Sequence, residues 1–332
     1  MNTSSNKGRI GWIDLAKGIC IFLVVFHHAT VALDLDYPFS TQLTSFRMPL
    51  YFILSGLFFK QYEGFIGFLK RKTNKLLIPF LFFLLMTSVI PCGFIQHDLS
   101  LKYFFTDMNG PLYNYTIWFL LCLFEINLLF YFIQWLAGLV GSKYTLLLLA
   151  LACVSLGVCG LFLGLTGHTI PLYVGTTLTA LPFFAFGWWL RRHTRFLSSP
   201  VNLRHDVPLM LICGIIVFFC ATPVIFSFNF IPREGVAFVH LCGIAGTMMV
   251  LILAKILKRI PLVTFWGRYS IMILCTHEVV ILVLSKIMSR FLHGIPLLIA
   301  VLTVTLLICH LLILFMRKHM PHVTAQKDLI PV

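Results

Sequence analysis

Apolar runs broken by short charged, glycine- or proline-bearing joints fill the chain from end to end. Ten of them read as membrane spans, at 11–33, 44–60, 76–95, 115–137, 144–166, 172–190, 207–226, 236–257, 265–285 and 294–316. Each is close to the roughly 20 residues that an α-helix needs to cross a bilayer. No long polar interval remains to fold as a separate aqueous domain. The pattern therefore predicts an all-α polytopic membrane protein, with about ten transmembrane helices in one bundle and a single domain over residues 1–332. The first run follows Lys7 and Arg9 but has no convincing small-residue cleavage site behind it, so it reads as a retained first helix. No inverted repeat, heptad array or low-complexity linker interrupts the series.

Composition supports the same class. The 332 residues are 59% hydrophobic and only 11% charged, and the mean hydropathy is +0.96, values far from those of soluble domains. The net charge of +14 could suggest nucleic acid, but its distribution explains it otherwise. With a cytoplasmic N-terminus, 20 of the 25 Lys and Arg fall in inside segments. That positive-inside bias predicts both termini in the cytoplasm and requires no nucleic-acid partner. Nine of the ten cysteines lie within apolar runs, without paired spacing or clustered His partners. They read as small buried hydrophobes, so neither a disulfide frame nor a metal site is expected.

The exceptions to apolarity are where chemistry is to be sought, because ionisable groups inside a span are costly and face protein or a wet cavity. The first span, KGICIFLVVFHHATVAL, carries a histidine pair. At 100° per residue, Lys17 and His28 fall within about 20° of one face and about 16 Å apart along the axis, while His27 points about 80° away. Asp14 lies near the Lys17 face. Lys17 and Asp14 are open to two readings, interfacial snorkelling and capping or a functional stripe ending at His28. In the second span, SFRMPLYFILSGLFFK, Met48-Pro49 frees a carbonyl, Ser55-Gly56 permits close helix approach, and Arg47 lies near the depth of His28. The following KRKTNKLLIPF brings Lys70, Arg71, Lys72 and Lys75 together, a stop signal or a site for a polyphosphate ligand. Glu125 stands seven residues after Trp118 on one face of the fourth span, and His277-Glu278 lies about ten residues beyond Arg268. These three read as interior polar contacts, the sharper alternative being a carboxylate, Glu125 or Glu278, that orients a catalytic histidine.

The ordered set resembles the acyltransferase family 3 membrane proteins. WIDLAKGICIFLVVFHH is similar to the family's opening Asp, basic residue and His, here Asp14, Lys17 and His28. FRMPLYFILSG, KTNKLLIP, WFL, LPFFAFGWWL and GRYSIMILCTHEVV resemble later family segments, in family order, from residue 11 to about 285. Lysines stand at 17, 72 and 75 where the family often has arginine, which weakens bidentate phosphate recognition. Cys275-Thr276 replaces the usual tyrosine-leucine before His277. No hydrolase-like domain follows the last span, so any second-stage transfer is expected to use a separate protein.

The resemblance implies an O-acyltransferase of a bacterial-type cytoplasmic membrane, moving an acyl group, expected to be acetyl, from acyl-CoA to a carbohydrate hydroxyl. Acetyl-CoA would be a donor substrate, with no permanently bound cofactor. The acceptor would be exopolysaccharide, lipopolysaccharide or a lipid-linked sugar, and membrane lipids surround the chain. His28 is expected as general base or covalent acyl relay, with Asp14 and Glu125 as catalytic partners. Lys17, Lys70, Arg71, Lys72 and Lys75 are expected to hold the donor. Arg47, Trp118, His277 and Glu278 are expected on the acceptor side. The competing reading is a glycolipid or small-anion transporter or flippase, in which the intramembrane His, Glu and Arg line a pathway.

Overall fold

The computed structural model describes residues 10–62, 64–89, 115–140, 143–168 and 170–332. These residues are helical, with only one isolated antiparallel bridge, Ile225 to Phe230. The helices are α1 (Gly11–Ala32), α2 (Ser40–Leu57), α3 (Gly64–Lys72), α4 (Ile78–Leu84), α5 (Trp118–Leu139) and α6 (Thr145–Thr166). They continue as α7 (Val174–His193), α8 (Leu203–Cys220), α9 (Val239–Leu257), α10 (Pro261–Arg268), α11 (Ser270–Met288) and α12 (Gly294–His319).

Helix α1 is the hub, packing against α2, α9, α10, α11 and α12. Lipid gives helices no hydrophobic reason to associate, so close packing must do it. At the α1–α10 crossing the two backbones touch: a side-chain carbon at Gly18 would meet the Val263 carbonyl, and one at Gly267 would fall on the Asp14 carbonyl. Helices α2 and α7 meet in the same way, Gly56 against the Phe184 carbonyl and Gly187 against the Ile53 carbonyl.

Seven helices among the described residues are long and apolar enough to span a membrane: Gly11–Ala32, Trp118–Leu139, Thr145–Thr166, Leu203–Cys220, Val236–Leu257, Ser270–Met288 and Gly294–His319. The expected count of about ten is therefore not reached by that measure. Two of the three missing spans are α2 and α7. These pack on each other and are flanked by α1, α5, α6 and α9, so protein rather than lipid covers them and their surfaces need not be uniformly apolar. The third expected span, 76–95, leaves the described residues at 89. At the other extreme, Leu203–Cys220 is only 11% buried, with Leu211, Ile215 and Phe219 pointing outward as a lipid-facing helix requires.

Between α3 and α4 the helix widens into a π-turn over Thr73–Leu77. Pro79 has no N–H for the carbonyl of residue 75, and a local register change is a common way to absorb that loss. The widened turn presents Asn74, fully buried, to the C-terminal tail. Asn74 accepts hydrogen bonds from the backbone N–H of Leu329 (2.8 Å) and Ile330 (2.9 Å), and donates to the Ile330 carbonyl at 2.8 Å.

Candidate functional site

Two polar groupings lie at opposite ends of α1. At the His28 end, the α1–α11 packing brings His28 against His277 and Glu278. His28 Nδ1 is 3.0 Å from Glu278 Oε2, an approach whose angles depart from hydrogen-bond geometry, so it reads as a close charge contact. The His28 and His277 rings meet edge to face at 5.2 Å. His277 is fully buried, and its Nδ1 is 2.8 Å from the Ile273 carbonyl one turn back in α11. A carbonyl can only accept, so Nδ1 carries the proton and donates, which leaves Nε2 as a bare lone pair. Arg47, on α2, is near enough to act electrostatically on His27, His28, Cys20 and Tyr37. Its carbonyl accepts from the Cys20 thiol at 3.0 Å.

His27 is separately occupied. Its Nδ1 lies 3.1 Å from the Tyr37 hydroxyl, and its ring meets that of His28 edge to face at 5.6 Å. The pair therefore consists of one histidine facing α11 and one tied to the loop after α1, in line with their angular separation on the helix.

At the other end of α1, cations gather on the aromatic C-terminus of α2. Lys17 Nζ sits 5.2 Å from the Phe58 ring centre and the Arg191 guanidinium 5.1 Å from the same ring. Arg191 also donates to the Leu57 carbonyl at 2.9 Å. Lys72 Nζ lies 5.8 Å from the Phe59 ring and 5.6 Å from that of Phe68. Arg71 covers the Tyr62 ring at 4.6 Å, and Lys70 is exposed. Burial against its two rings lowers the Lys72 ammonium to about 8, because the charged form loses water and gains only weak ring attraction.

The other sequence-derived residues lie away from His28. Lys75 contacts the tail, donating to the Ala325 carbonyl at 3.0 Å and pairing with Asp328 at 2.9 Å. Asp14 occupies the first turn of α1, where a carboxylate complements the helix dipole. On that continuous helix it is about 21 Å from His28 along the axis. Glu125 accepts from the Thr177 hydroxyl at 2.7 Å, and Trp118 faces the Tyr173 ring at 5.9 Å. These form a third polar grouping between α5 and α7.

Arg191 joins the cluster without being among the residues expected from the sequence; its signal is FGWWLRR, where an aromatic cluster is followed at once by two arginines. The engagement of Lys75 by Asp328 had no sequence signal, because the partners are 253 positions apart.

The arrangement offers a base-competent imidazole beside a carboxylate, an arginine within electrostatic reach, and a separate cluster of cations at the other end of α1. A family model described as an acyltransferase domain matches residues 10–314. No curated protein and no solved structure matches the chain.

Proposed function

The chain belongs to acyltransferase family 3, and from that membership we propose that this membrane acyltransferase moves an acetyl group from acetyl-CoA to a hydroxyl of a cell-envelope carbohydrate or lipid-linked sugar. The reading places the enzyme in a bacterial-type cytoplasmic membrane with both termini inside. The observation that carries it is the pairing, along one helix, of a cation cluster at Lys17 with an imidazole site at His28, about 16 Å apart on the axis. That offset suits a nucleotide held at one end and an extended pantetheine arm delivering a thioester to the other.

In this mechanism Lys17, Lys72 and Arg191 bind the donor phosphates, with Lys70 and Arg71 at the rim. His28 takes the proton of the acceptor hydroxyl as that oxygen attacks the acetyl carbonyl, and Arg47 stabilises the oxyanion. The carbon–sulfur bond then breaks, and the imidazolium returns its proton to the departing CoA thiolate, so one ester forms for each thioester consumed. Glu278 holds His28 and stabilises its charged form. His277, Trp118 and Glu125 border the acceptor path. Lys75 is already paired with Asp328 and contributes mainly by holding the tail.

The test uses membranes containing the protein and labelled acetyl-CoA, propionyl-CoA or palmitoyl-CoA, with base-labile label measured in the carbohydrate and lipid-linked sugar fractions. Base-labile acetyl ester absent from vector-only membranes is the expected result. Transfer of the long chain alone, or label in protein only, would contradict the acetyl or carbohydrate assignment.

A pH dependence follows from Lys72. Its ammonium is charged below about 8 and loses the proton as pH rises through that value, so phosphate binding is present below and weakens above. KM for acetyl-CoA is expected to climb across pH 7–9 in the wild type and to stay flat in Lys72→Arg, whose guanidinium remains charged. Lys72→Ala is expected to raise that KM about tenfold at pH 7 with kcat little changed, the loss of one charge-assisted contact of about 1.5 kcal/mol. An unchanged KM in Lys72→Ala would remove Lys72 from the donor site.

A further inference from the structure

We propose that His28, His277 and Glu278 form a binding site for one divalent transition-metal ion of the zinc class, and that an ion held there blocks acyl transfer. One ligand atom from each of the three residues lies within 4.8 Å of the others, in the one such group found among the described residues. In a tetrahedral shell with bonds of about 2.0–2.2 Å, neighbouring ligand atoms are roughly 3.3–3.6 Å apart. Side-chain shifts of about an ångström therefore close the group on a metal.

Three features make this more than proximity. First, His277 Nε2 is buried with no hydrogen-bond partner, a costly state for a lone pair inside a membrane domain. Second, the Nδ1 bond to the Ile273 carbonyl fixes the tautomer and turns Nε2 inward, as outer-shell carbonyls do for metal-bound histidines. Third, the donors are two imidazoles and one carboxylate, a set suited to zinc that leaves a fourth position open. His28 keeps 13% of its side chain exposed, which gives an ion a way in. The pairing was invisible in the sequence, because His28 and the His277-Glu278 pair are brought together only by the packing of α1 on α11.

The inhibitory half rests on the reading of His28 as the base: a neutral imidazole that gives one ring nitrogen to a metal carries its proton on the other, so no lone pair is left to take a proton from an acceptor hydroxyl. The binding half stands without it. The site would make the enzyme sensitive to free zinc in its compartment.

The experiment uses purified full-length protein, free of any histidine tag, in lipid nanodiscs. Zinc binding is measured by equilibrium dialysis, and cobalt substitution by visible absorption. One zinc per chain is expected for wild type and for Cys159→Ser, which removes the one exposed free thiol among the described residues. Affinity should fall at least tenfold in His277→Gln and in Glu278→Gln. Bound cobalt should show ligand-field bands of a nitrogen and oxygen shell without thiolate charge transfer, a readout that needs no variant. Transfer should fall with the same zinc midpoint as binding and return with a chelator. The metal site is overturned if wild type takes up no stoichiometric zinc, if the cobalt spectrum is that of a thiolate site, or if folded His277→Gln binds as tightly as wild type. Zinc binding in a protein that never transfers acyl groups would defeat the proposed function and leave the metal site standing. Transfer unaffected by bound zinc would overturn the inhibitory role.

Discussion

His28→Ala is expected to lower acyl transfer by about 10²–10⁴-fold, the range for loss of a positioned general base, with the protein still inserted and folded. Among the described residues, the imidazole is the base-competent group that meets both α11, through Glu278 at 3.0 Å, and the field of Arg47. Its removal leaves the acceptor hydroxyl protonated when it must attack. The control is its neighbour: His27→Gln is expected to stay close to wild type, because His27 faces the Tyr37 hydroxyl and a glutamine can keep a polar contact there. Both are read as the initial rate of labelled acetyl transfer at saturating donor, per unit of folded protein. Equal losses in the two variants would mean that the pair acts through packing.

Glu278→Gln is expected to give the second largest effect, a fall in kcat of about 10²-fold with KM for acetyl-CoA unchanged. The substitution keeps the side chain's shape but removes the negative charge that stabilises a protonated His28. Without the anion 3.0 Å from Nδ1, the field that favours a proton on that nitrogen, and so Nε2 as the base, is also lost. Because Glu278 lies at the end of α1 away from Lys17, Lys72 and Arg191, donor binding should not register the change. Glu278→Asp should recover part of the rate. A glutamine variant that raised KM at constant kcat would move Glu278 out of its positioning role.

Much of this site was legible in the chain because a helix is periodic. The eleven-residue separation of Lys17 and His28 assigns them one face before any neighbour is known, and the structure keeps α1 continuous from Gly11 to Ala32. What periodicity cannot give is which helix lies opposite. The meeting of His28 with His277 and Glu278 depends on the α1–α11 contact, which has no trace in either segment alone. The same limit hid Arg191, whose place beside Lys17 depends on α7 packing against α2. Lys75 looked equivalent to Lys72 in KRKTNK, yet the π-turn after α3 presents it to Asp328 instead. Seven spans rather than ten meet the length and apolarity measure for a related reason: α2 and α7 are covered by other helices, and 76–95 runs past the described residues.

The central claim is acyl transfer by this chain itself, and it is tested most directly by purified protein in proteoliposomes supplied with labelled acetyl-CoA and a carbohydrate acceptor. Free CoA thiol and base-labile acetyl ester on the acceptor are measured in the same sample. The account predicts that both appear in equal amounts and that both vanish in His28→Ala. Movement of the acceptor or an anion across the bilayer without release of CoA thiol would contradict it and identify a transporter.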